Sequence, residues 1–142
     1  MKILLAVDGS KHSTNAVRYL VEHWGLLKEK PAIELVTVHL PVPRLPRMGA
    51  AIGKAQIQKY YQDEGEAALA GARRRLEAAD LPYRAGVLVG PVAETLVKHA
   101  KQSAADLVVV GTRGMSELGK MLLGSTASKV AQLSDVPVLL VK

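Results

Sequence analysis

From residue 111 the chain reads Gly-Thr-Arg-Gly-Met-Ser-Glu-Leu-Gly-Lys-Met-Leu-Leu-Gly-Ser-Thr, four glycines closing on a hydroxyl pair. Such a stretch suits phosphate. Gly111, Gly114 and Gly124 let main-chain amides approach an anion closely, and Arg113 adds a fixed positive charge. A helix beginning near Ser125 and Thr126 would add unpaired amides and the positive end of its dipole. The same residues would also serve an ordinary loop, with the glycines making turns and Ser125 capping a helix. Gly114 to Lys120 has P-loop spacing, but Met121 stands where magnesium requires Ser or Thr.

A second cluster, Asp8-Gly9-Ser10 followed by Ser13, sits after an apolar run. Asp8 can accept hydrogen bonds from a ligand's amine or hydroxyls, or it can shape a turn. His12, His23, His39 and His99 are scattered without metal-ligand spacing, and the absence of cysteine removes thiolate chemistry and disulfides.

The elements that must position these residues follow from hydrophobic pattern. Residues 2–7, continuously apolar after Lys2, end in a turn, as a strand buried on both faces does. Ala16, Val17, Leu20, Val21 and Trp24 then recur at helical spacing, with Ser10 or Ser13 as cap. A second strand is predicted over 33–40. Pro41, Pro43 and Pro46 then impose an irregular connection, 41–53, with no residue in it that decides its role. A long helix over 55–79 is weakened at Gly65 and Gly71. Strands at 83–89, 106–110 and 136–141 alternate with helices starting near Pro91 and Ser125.

This alternation predicts an α/β fold: a doubly wound, five-stranded parallel sheet with helices on both faces, one domain over 1–142. Ligands of such sheets bind beyond the C-terminal strand ends where the winding reverses, and only strands one and four lead into Gly/Ser-rich turns there.

The composition narrows the function classes. Of 142 residues 49% are hydrophobic and 23% charged, as in a packed protein that holds its own core. No 18-residue apolar run could span a membrane, and Asp8 interrupts the N-terminal apolar stretch before a secretory core could form. The predicted location is the cytoplasm. A net charge of +6 permits attraction to polyanions, but 4% aromatics without a single Phe make a poor base-stacking platform, so nucleic acid is not the expected partner.

The spacing Gly-x2-Gly-x9-Gly-Ser, filled by Gly111, Gly114, Gly124 and Ser125, resembles the signature of the universal stress protein family. The similarity continues through the strand before it, the 136–141 segment after it and the Asp8-Gly9-Ser10 turn, and so spans essentially the whole chain. It implies a Rossmann-like fold of the adenine nucleotide alpha hydrolase-like kind and a stress-response protein that binds ATP, or AMP or ADP, with Mg2+ as counter-ion. By that resemblance Asp8 and Val38 face the adenosine, while Gly111, Arg113, Gly114, Gly124, Ser125 and Thr126 surround ribose and phosphates. Glu117 stands where many relatives have a small residue.

The resemblance also implies a homodimer joined through 137–141, which opens at Pro137 and ends at Val141, and a regulatory protein partner it does not identify. The competing reading is a slow ATPase or a phosphotransferase that modifies itself at Ser125, Thr126 or Ser128. A phosphoryl-accepting receiver would need a second acid beside Asp8 and an acceptor Asp after strand three; neither is present.

Overall fold

The computed structural model describes residues 1–43, 53–112 and 123–142. Its elements alternate along the chain: β1 (Lys2–Ala6), α1 (Lys11–His23), a 3-10 turn (Trp24–Leu26), β2 (Ala32–His39) and α2 (Lys54–Ala78). There follow β3 (Tyr83–Val89), α3 (Val92–Gln102), β4 (Leu107–Gly111), α4 (Ser125–Leu133) and β5 (Val138–Val141). The five strands form one parallel sheet in the order β3-β2-β1-β4-β5, as the alternation predicts.

β1 lies at the centre, which explains its unbroken apolar sequence: Ile3, Leu4 and Leu5 are each at most 1% exposed because both faces are covered. Ile3, Leu5 and Val7 pack with Ala16, Val17 and Leu20 of α1 and with Leu69, Ala72 and Leu76 of α2. Leu4 packs on the opposite face with Ala93, Leu96 and Ala100 of α3 and Ala127 and Val130 of α4. The two-residue period of a strand thus divides one sequence between two cores.

α1 begins as its hydroxyls predict. Ser10 Oγ accepts the Ser13 amide at 3.2 Å, and the Ser13 and Thr14 hydroxyls both donate to the Ser10 carbonyl at 3.0 Å. α2 runs unbroken through both of its glycines. Gly65 is a packing requirement there: a Cβ at this position would lie 2.3 Å from Val87 Cγ2 of β3. Gly71 has open space, its nearest neighbour being Arg74 Nη2 at 4.0 Å.

Candidate functional site

The chain winds outward from β1 to β3, then returns to place β4 on the other side of β1. The reversal therefore falls between the C-terminal ends of β1 and β4, where open α/β sheets take their ligands. Ala6 pairs with Val36 on one side and with Val110 on the other. Extending that register by two residues sets Asp8 beside Val38 and Thr112, one row across three strand ends. Val38 is half-buried against the α3/α4 core.

Asp8 has a local task. Its Oδ1 accepts the Ser10 amide at 2.9 Å, and its own amide donates to Ser13 Oγ at 3.3 Å. Gly9 makes this turn at φ +79°, against Ala68 of α2, whose Cα would be 3.2 Å from an added Cβ. The turn-shaping role open at the level of sequence is thus realised. Oδ2 is left without a donor among the described residues. The Ser10 and Ser13 amides at the start of α1 are taken up by this network, so the turn after β1 has fewer left for an anion.

The start of α4 is different. Its N-cap is Gly124, which has no side chain to accept from the first-turn amides. The first helical acceptor is the Gly124 carbonyl, which takes the Ser128 amide at 2.9 Å. The amides of Ser125, Thr126 and Ala127 therefore lack intrahelical partners, as at any helix start. Ser125 and Thr126 are exposed, and Ala127 anchors the helix in the core.

Thr112 fixes where this helix begins. Its amide donates to the Val141 carbonyl and its carbonyl accepts the Gly124 amide, both at 2.7 Å. The chain therefore leaves β4 and enters α4 through the same point. Sequence reasoning missed Thr112 because its contribution is a main-chain carbonyl, which no residue type announces.

Gly111 points the other way. A Cβ there would meet the His12 carbonyl oxygen at 2.7 Å and the Ser13 amide nitrogen at 3.1 Å. It lets β4 pass directly under the first turn of α1, a packing reason for glycine independent of any ligand. Asp8, Val38, Gly124, Ser125 and Thr126 are gathered at the switch point. Arg113 and Gly114 lie outside the described residues, as do Glu117, Lys120 and the P-loop-like spacing.

Tyr61 was also not foreseen. It is 8% exposed, and its hydroxyl accepts the Val42 amide at 2.6 Å, anchoring the chain after β2 to α2. Its neighbour Tyr60 is exposed, so identical residue types in sequence gave no signal for which is structural. Among the described residues no three His, Asp or Glu side chains come together to hold a metal, and no helix is long and apolar enough to cross a membrane.

Comparison with known proteins agrees with this architecture. The profile described as "Universal stress protein family" matches residues 1–142. The chain is 34% identical to universal stress protein YxiE of Bacillus subtilis, over 99% of this chain and 98% of that protein. The structure of universal stress protein UspA from Lactobacillus plantarum superimposes with a TM-score of 0.80 at 20% identity, covering 100% and 97% of the two chains. A universal stress protein solved in complex with cAMP gives a TM-score of 0.71 at 28% identity, again over 100% and 97%.

Proposed function

The chain belongs to the universal stress protein family, and from that premise we propose that it binds an adenine nucleotide, ATP foremost, across the C-terminal ends of β1, β2 and β4. The observation that carries this reading is the contrast between two helix starts at one switch point: in α1 the Ser10 hydroxyl caps the Ser13 amide, whereas α4 presents a first turn with no side-chain cap behind Gly124. Phosphate oxygens accept from the amides of Ser125 and Thr126, aided by the helix dipole. Asp8 uses its free oxygen for the ribose or the adenine amine, and Val38 gives the base an apolar surface. Gly111 holds the floor of the site through α1, and Arg113 and Gly114 complete the phosphate environment. Mg2+ accompanies the phosphates with few protein ligands. The relative solved with cAMP supports adenine recognition on this fold.

In this reading residues 1–142 act as one cytoplasmic domain whose nucleotide-bound state a protein partner reads. β5 is at the sheet edge, and Val138, Leu139 and Leu140 are only half-buried there. An apolar edge of this kind recruits a second copy, giving a two-fold dimer.

The test is the unfolding midpoint of nucleotide-stripped protein titrated separately with ATP and Mg2+, AMP and cAMP. A ligand at about 100 times its Kd stabilises the fold by roughly 2.7 kcal/mol. A saturable rise with ATP supports the proposal, a rise with cAMP or AMP alone reassigns the ligand, and no rise with any of them at millimolar concentration overturns it. The exposed hydroxyls of Ser125 and Thr126 favour phosphoryl transfer to the protein as the second reading. Labelled phosphate from the γ-position of ATP that stays on the chain, with ADP released, would establish it.

A further inference from the structure

We propose that the cleft between α1 and α2 is a second binding site, for a small amphiphilic carboxylate. The cleft has a volume of about 510 Å³, within the range of small-molecule sites, and it reaches down to Val7 and Val17 of the core. It exists because α2 turns mainly small residues toward α1: Ala67, Ala68, Gly71 and Ala78 leave unfilled the space that larger side chains would close. It lies on the α1/α2 face of the sheet, opposite the α3/α4 face against which Val38 packs.

The polar groups of the cleft select an anion. Arg74 and Arg75 line it, and neither has a carboxylate within ion-pair reach among the described residues. Their neighbour Arg73 is committed to Glu66 at 3.1 Å and lies 5.9 Å from the Tyr83 ring. Arg74 is exposed, and its Nη2 stands 4.0 Å from where a Cβ of Gly71 would be, so the guanidinium lies beside the glycine at the wall. The hydroxyls of Ser13 and Thr14 both donate to the Ser10 carbonyl, which leaves the guanidinium groups as the strong free donors. A carboxylate matches a guanidinium fork, and an alkyl body matches the Ala/Val lining.

Octanoate is the probe and octanamide its neutral counterpart, titrated into isotopically labelled protein while amide resonances are followed. Octanoate is expected to shift Gly9, Thr14 and the amides of 67–78 saturably, about tenfold more tightly than octanamide. The exposed double variant Arg74→Gln/Arg75→Gln should lose that preference, and Gly71→Leu, which fills the cleft and improves helix propensity, should abolish the shifts while still unfolding cooperatively. Equal binding of octanoate and octanamide, unchanged affinity in the double variant, shifts centred on Val38 and Ser125, or no saturation by ~10 mM would each overturn the proposal.

Discussion

The carbonyl of Thr112 accepts the amide of Gly124 at 2.7 Å, closing the base of the segment between β4 and α4. One consequence is that Gly124 does not offer its own amide to a ligand; its contribution is the missing side chain, which leaves the next amides free. Gly124 has φ −58° and ψ 150°, a conformation open to any residue. Gly124→Asp would therefore cap α4 and place a carboxylate where phosphate is proposed to sit. The expected outcome is a stability gain of about 0.5 kcal/mol in denaturant unfolding together with a loss of ATP affinity of about tenfold or more in calorimetry. Unchanged ATP affinity would remove α4 from the site.

Gly111 separates packing from binding. Because its Cβ would strike the His12 carbonyl, a main-chain atom that no rotamer change can move, Gly111→Ala should destabilise the protein by about 1–3 kcal/mol even without ligand. Denaturant unfolding of the nucleotide-free variant measures this. An unaltered midpoint would mean that α1 shifts away at little cost and that the glycine is there for another reason.

The two glycines of α2 should respond in opposite directions. Gly71→Ala meets open space and should stabilise by about 0.8 kcal/mol through helix propensity. Gly65→Ala should cost about 1–3 kcal/mol, since Val87 Cβ itself would lie 3.0 Å away and rotating the Val87 side chain cannot clear the contact. Parallel thermal melts decide it, and two shifts of the same sign would contradict the packing assigned to Gly65.

The fold was legible almost completely, and the reason is the sheet. Buried parallel strands must be continuously apolar, so the runs 3–7 and 107–110 within the expected strands declare themselves, and the observed strands differ from expectation by only a residue or two at their ends. The glycines were less transparent. Gly65 was read as a weak point in α2 because propensity is local, whereas its role is a contact with Val87, 22 positions along the chain. Of the candidate site residues, Asp8 and Ser125 are singled out by residue type and position. Thr112 was not singled out, since main-chain hydrogen bonding leaves no trace in side-chain chemistry.

At the opposite end of the sheet, the Glu34 carboxylate accepts from His99 Nε2 at 2.7 Å and stands 3.1 Å from Lys2 Nζ. An ionised carboxylate only accepts, so His99 carries its proton on Nε2. Burial pushes the Glu34 carboxyl up, but the His99 hydrogen bond and the nearby ammonium outweigh it and hold it below its ordinary value. A depressed carboxyl contributes stability that is present above its unfolded pKa and is lost as the pH falls through the folded one. Glu34→Gln should cost about 1–2 kcal/mol at pH 7 and flatten the loss of stability below about pH 4.5. Denaturant midpoints across pH 3–7 test this, and parallel curves for the two proteins would exclude Glu34 as a source of the acid response.

Both strand-end glycines at the switch point, Gly9 and Gly111, are pressed by the same helical layer, one by α2 and the other by α1, while Val38 and the start of α4 belong to the opposite layer. Descendants of such a chain can diverge asymmetrically. Drift in the α1/α2 layer at these contacts endangers folding itself, whereas drift around Val38 and the mouth of α4, where the nucleotide is proposed to bind, would retune recognition on an intact scaffold. Selection for a new nucleotide can therefore act on the α3/α4 side of the sheet while the Gly9 and Gly111 contacts on the other stay fixed.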